Sequence, residues 1–204
     1  MRCAETTSYD WRTFIIMQLL HDMTLLRNCA PSSLEKCYDL IADAVQSLRA
    51  MPVPEDATPG PYTKDHALRW IRHPLFKDHT AAALYQSIGE LEQHITRVVA
   101  LAPWKPNAPR PSLRLEDRLV FCYCDFNPDN FLFKTDAAGQ LHLWMVDFEH
   151  ASFLPLSFLP YGLMVAGTDR WFSAWPVMER IGHTLPTDNN EVLKVAAICL
   201  PRLR

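Results

Sequence analysis

Two apolar runs in the second half of the chain each stop at an aspartate, and this pattern restricts the fold more than any other feature. The run Leu119-Val120-Phe121-Cys122-Tyr123-Cys124 has strand length and ends at Asp125, and Leu141-His142-Leu143-Trp144-Met145-Val146 ends at Asp147. Phe131-Leu132-Phe133 forms a third strand-like stretch between them. The segment 134–140 includes Asp136 and Gly139, residues suited to a hairpin turn. If residues 131–146 fold back on themselves, Asn130 just before the outgoing strand and Asp147 just after the returning one become neighbours in space.

The rest of the chain reads as framework. Residues 13–20 are short, β-branched at the start and uncharged, the pattern of a buried strand. Pro31-Ser32-Ser33-Leu34-Glu35 predicts a helix start, with Ser32 and Glu35 at capping-box spacing. Leu34, Cys37, Tyr38, Ile41, Val45 and Leu48 then form one apolar stripe. Leu84, Ile88, Leu91, Ile95 and Val98 predict a second amphipathic helix. The proline-rich stretches 51–62 and 103–111 predict loops. Residues 151–168 carry no formal charge over 18 positions, about the minimum for a membrane span, but Pro155, Pro160 and Gly162 interrupt them. They are expected to form a buried, irregular segment.

Composition excludes several function classes. Basic residues number 20 and acidic residues 23, a net charge of −3, which offers no footprint for nucleic acid or an anionic membrane surface. Six glycines stand far apart, so no GxGxxG loop exists. Gly162 and Gly167 have Walker-loop spacing, but Thr168-Asp169 follow where the lysine would stand. The six cysteines show no CxxC pair or zinc spacing, and Cys122 and Cys124 read as small hydrophobes. Residues 1–10 lack an apolar signal core, and the expected location is the cytoplasm.

The chemistry converges on the hairpin ends. An amide oxygen and a carboxylate at one point are hard donors suited to Mg²⁺, which keeps its other positions for water and phosphate. Asp125 enters the same place, where a carboxylate beside the metal accepts a proton from a substrate hydroxyl. Asp125-Phe126-Asn127-Pro128-Asp129-Asn130 followed by Asp147-Phe148-Glu149 is the combination that phosphoryl transfer requires.

These motifs, Tyr-Cys-Asp-Phe-Asn-Pro-Asp-Asn-Phe-Leu-Phe at 123–133 and Val-Asp-Phe-Glu-His-Ala at 146–151, resemble the aminoglycoside phosphotransferase and choline kinase-like family, in particular its fungal branch. The resemblance, expected over residues 13–165, implies ATP and Mg²⁺ as cofactors and a hydroxyl of a small molecule as acceptor. It implies an α+β, protein-kinase-like C-terminal lobe, mostly helical with a small catalytic-loop β-hairpin, over residues 13–204. The N-terminal lobe would be largely absent, with residues 1–12 a remnant or a disordered terminus. By the same resemblance Asp125 matches the catalytic base, Asn130 and Asp147 match the metal ligands that hold the nucleotide, residues 14–20 match the linker that meets the adenine, and residues 33–49 match the first long helix of that lobe.

Two departures accompany the match. Tyr123-Cys124 replaces the family's His-Gly, and a tyrosine is expected to pack and hydrogen-bond there without taking over the backbone-orienting role of the imidazole. His150, beside the metal motif, is expected to be a satisfied structural residue. The upper-lobe lysine also has no counterpart, since the first lysine of the chain is Lys36; Val192-Leu193-Lys194 only echoes that motif from a helical stretch. A charge-assisted hydrogen bond to phosphate is worth about 1.5–3 kcal/mol, and about 1.4 kcal/mol is a factor of ten in rate, so a kinase without this lysine is slow. The expectation is therefore a phosphotransferase in shortened form. The alternatives are a catalytically silent binding protein and, less well matched, a metal-dependent hydrolase. Trp171, Trp175 and Glu179 form either an apolar helix face or the wall of an amine pocket.

Overall fold

The computed structural model describes residues 6–9, 12–15, 19–63, 69–103, 112–166 and 174–200, the first two stretches as backbone. Among these residues the chain is α+β, with five α-helices and three small antiparallel sheets. Strand β1 (Thr6–Tyr9) pairs with β2 (Arg12–Ile15) as an antiparallel hairpin. The segment expected to be a remnant or disordered therefore contains a strand. Leu19, expected within a buried strand, is 71% exposed, while residues 16–18 lie outside the described residues.

After the short strand β3 (Thr24–Leu25) the chain passes through two 3₁₀ turns into α1 (Leu34–Arg49). The apolar stripe holds: Cys37, Ile41 and Val45 are buried, with Ala42 beside them. The capping box does not form. Ser33 sits at the helix start with φ −103° and ψ −13°, its side chain making no cap, because the preceding 3₁₀ turn already commits its backbone to helical angles. Glu35 instead accepts a hydrogen bond from Arg180 at 2.7 Å, and Asp39 accepts another at 2.6 Å.

The loop at 51–62 is as expected, and Gly60 exchanges two backbone hydrogen bonds with Phe153 at 3.0 and 2.9 Å. Helix α2 (Ile88–Ala100) buries Leu91, Ile95, Val98 and Val99, but Leu84 lies outside it and is exposed. The Ser87 hydroxyl accepts from the Glu90 N–H at 3.2 Å, and the Glu90 carboxylate accepts from the Gln86 N–H at 2.8 Å. This reciprocal cap stops the helix one turn short of Leu84. Residues 104–111, most of the expected second loop, lie outside the described residues.

Strand β4 (Leu119–Cys122) leads to a 3₁₀ turn and then to β5 (Phe131–Thr135) and β6 (Leu141–Met145). The predicted hairpin forms, with Phe131 opposite Met145 and Thr135 opposite Leu141. Its turn is built by Asp136, whose Oδ1 accepts from the Ala138 and Gln140 N–H groups at 2.9 and 2.8 Å, and by Gly139 at φ +80°. Strand β3 extends this sheet beside β5.

Of residues 151–168, expected to be irregular, the described part, 151–166, is instead largely regular. Strand β7 (Ser152–Pro155) pairs antiparallel with β4, and α3 (Phe158–Ala166) follows. Pro160 is accommodated because it lies in the first helical turn, where its missing N–H breaks no helical bond. The burial is as expected, and no described helix is long and apolar enough to cross a membrane. Helices α4 (Trp175–Ile181) and α5 (Asn190–Cys199) complete the order; α4 packs on α1 and α3, and α5 on α2 and α3.

Candidate functional site

Asp125 follows two buried residues, Tyr123 and Cys124, where the chain leaves β4. Its Oδ1 accepts from the Asn127 N–H at 3.3 Å. The Asn127 side chain in turn accepts from the Asp129 N–H at 3.0 Å, and Pro128 opens the 3₁₀ turn that delivers Asn130 to the start of β5. These are local Asn, Asp and Pro turn interactions, and they restrict the loop with few long-range contacts. One long-range tie is the ion pair of Arg27 with Asp129, which joins the segment after β3 to this turn.

The hairpin carries Asn130 and Asp147 to the same end. The Val146 N–H donates to the Asn130 carbonyl at 3.0 Å, so Asp147 lies one residue beyond a direct cross-strand partner of Asn130. The Asn130 amide nitrogen donates to the Asp125 carbonyl at 3.3 Å. That bond orients the amide and leaves its oxygen as the atom available to a cation. Asp147 adopts a left-handed backbone, φ 55° and ψ 70°, and its Oδ1 accepts from the Glu149 N–H at 3.4 Å. Left-handed geometry is costly for a residue with a Cβ; here it turns the chain sharply at the end of β6. The Asp147 side chain is exposed and Asn130 is buried.

Tyr123 occupies the middle of the site. Its hydroxyl donates to the Val146 carbonyl at 2.9 Å, gripping the peptide that leads into Asp147. The tyrosine packs and hydrogen-bonds as expected, its phenol reaching from the end of β4 to the end of β6. Burial, followed by the negative charge of Asp125, pushes the phenol upward; hydrogen bonding to Asn130 opposes this and the charge of Asp147 adds to it. The group therefore remains a donor at neutral pH.

Among the described residues no group of three or more His, Cys, Asp or Glu side chains is placed to hold a metal. The donor set that fits is smaller: one amide oxygen from Asn130 and one carboxylate from Asp147, hard ligands that suit Mg²⁺ with water and phosphate completing its shell.

His150 is not the satisfied structural residue expected. Among the described residues its buried Nδ1 has no hydrogen-bond partner, and it lies 3.5 Å from Asp125 Oδ2. His79 meets its ring edge-on, with centroids 4.9 Å apart. Glu149 next to it forms an ion pair with Arg72. The loop of Arg72 and His79, to which no motif in the sequence gives a role, thus flanks the candidate base. In the sequence these are isolated histidines, which carry no partner information.

Three other motifs lie elsewhere. Lys194 sits within α5, paired with Glu191 at 2.5 Å. Gly162 lies inside α3, and Gly167 and Trp171 fall outside the described residues. Trp175 donates to Glu179 at 2.7 Å, and both line a cavity of about 540 Å³ together with Leu163, Met164, Met178 and Asn190.

The model of the phosphotransferase enzyme family matches residues 3–158. The match starts ten residues before the resemblance is expected to begin and ends before residue 165, and it contains Asp125, Asn130 and Asp147. No curated protein matches the chain, and no solved structure does.

Proposed function

Because the chain belongs to the phosphotransferase enzyme family, that of the aminoglycoside phosphotransferases and choline kinase-like enzymes, we propose that it transfers the γ-phosphoryl group of Mg·ATP to a hydroxyl of a small molecule in the cytoplasm. Residues 13–204 take the part of the kinase-like C-terminal lobe. Asn130 and Asp147 are the residues that would hold Mg²⁺, which when bound would supply positive charge beside the phosphates. Asp125 accepts the proton of the attacking hydroxyl as its oxygen bonds to phosphorus and ADP leaves. The observation that carries this reading is the Val146–Asn130 hydrogen bond at 3.0 Å, which brings an amide and an acid together beside Asp125.

A second reading follows from the one lysine motif that can be placed. A lysine on the phosphates is a regular part of kinase machinery, and Val192-Leu193-Lys194, which echoes that motif, lies in α5 with Lys194 paired to Glu191. On that reading the chain is a binding protein without turnover.

One experiment separates the two. Nucleotide affinity is measured by calorimetric titration with and without Mg²⁺, and ADP release is followed against a panel of hydroxyl-bearing metabolites. Asp147→Ala is expected to weaken Mg²⁺-dependent ATP binding at least tenfold. Asp125→Asn is expected to abolish turnover and leave that affinity within about twofold. Mg·ATP binding without ADP release for any acceptor supports the silent reading; no binding at all sinks both.

A further inference from the structure

The two oxygens of the Asp125 carboxylate have different surroundings. Oδ1 accepts from a backbone N–H, that of Asn127. Oδ2 faces His150 Nδ1 at 3.5 Å, with the two side chains 24% and 15% exposed. An ionised carboxylate only accepts, so the productive tautomer of His150 carries its hydrogen on Nδ1. The same Nδ1 is buried and makes no hydrogen bond among the described residues, and Asp125 Oδ2, at 3.5 Å, is an acceptor within reach of it. The orientation of the ring is also enforced. His79 packs against it edge-on, and the loop presenting His79 has left-handed backbones at two successive residues, Asp78 at φ 51° and His79 at φ 54°. Such strain persists only where surrounding structure over-determines it. Arg72, on the same loop, secures Glu149 and donates to the Thr80 hydroxyl at 2.8 Å.

We propose that His150 is a positioning residue for Asp125: its Nδ1–H donates to Oδ2 and sets the rotamer from which the carboxylate meets the acceptor hydroxyl, with His79 fixing the plane of the ring. The proposal rests on the assignment of Asp125 as the base. The groups facing His150 are Asp125, His79 and the fully buried His73, with Arg72 and Glu149 beside it.

The first test does not need turnover. Long-range ¹H–¹⁵N correlation spectra of the imidazoles at pH 8 are expected to show His150 as the Nδ1–H tautomer, and Asp125→Ala is expected to move it toward the Nε2–H form. The same tautomer in both proteins overturns the proposal. The second test uses ADP release from Mg·ATP with water as acceptor. His150→Phe is expected to lower kcat at least tenfold with KM for Mg·ATP within twofold, while His150→Asn, whose amide N–H stands near the place of Nδ1–H, retains at least a third of kcat. Equal kcat in His150→Phe and the parent, or equal losses in both variants, overturns it. A tautomer change in a chain that releases no ADP keeps the His150–Asp125 bond and rejects the phosphotransferase reading alone.

Discussion

The Tyr123 hydroxyl holds the Val146 carbonyl at 2.9 Å, while the ring packs against Phe126, Phe131 and Phe148. Tyr123→Phe keeps that packing and removes one hydrogen bond, leaving a part-buried carbonyl short of a partner. The expected cost is about 1–2 kcal/mol of stability, together with weaker Mg·ATP binding because the peptide before Asp147 is loosened; urea denaturation and calorimetry check the two effects. His73 makes a second prediction at this scale. It is fully buried, its Nε2 lies 3.0 Å from the Phe158 carbonyl and its Nδ1 accepts from the Leu75 N–H at 3.0 Å. Burial lowers its pKa to about 3, from an ordinary value of 6.5. Between those values the unfolded chain binds a proton that the folded chain refuses, so this contribution is complete above pH 6.5 and is lost as pH falls toward 3. The slope is about 1.4 kcal/mol per pH unit; His73→Gln should flatten the acid limb of a urea-midpoint profile. Neither residue declared its role in the sequence. Tyr123 and Val146 are 23 positions apart and His73 and Phe158 are 85 apart, and partners at such separations meet only through the fold.

Among the elements, the same S-x-x-E spacing occurs twice with different outcomes. At Ser87 and Glu90 the serine backbone is extended, φ −153° and ψ 161°, and its hydroxyl caps the helix; at Ser32 and Glu35 a 3₁₀ turn precedes the helix and no cap forms. Ser87→Ala is therefore expected to cost about 1 kcal/mol, within the usual range for a lost N-cap, and Ser32→Ala to change the thermal midpoint hardly at all. The β5–β6 hairpin was legible because its determinants are local: two apolar runs, an aspartate that closes the turn and a glycine at positive φ. The segment after Ala151 was less so. Two prolines and a glycine argue against regular structure, yet β4 supplies partners for a strand, and Pro160 falls where a helix tolerates it.

At the scale of the whole molecule, α3 sets the position of the strand end that leads to Asp125. A Cβ placed on Gly162 would lie 3.4 Å from the Cys124 Cβ and 3.5 Å from its Sγ, an ordinary contact with a buried residue. Gly162→Ala is expected to be neutral or slightly stabilising, through helix propensity. Gly162→Val should cost about 1–3 kcal/mol by overpacking and displace the loop at Asp125; chemical denaturation of the pair checks the contrast. Helix stripes, the hairpin and its turn, and the pairing of an amide with an acid at the hairpin's open end all follow from residue order alone, because each depends on periodicity or on neighbours a few positions apart. The grip of Tyr123 on Val146, the meeting of His79 with His150 beside Asp125, and the fit of Gly162 against Cys124 depend instead on how separate elements pack. Distant side chains acquire partners only when burial of the shared core brings their elements together, and no spacing in the chain encodes that arrangement.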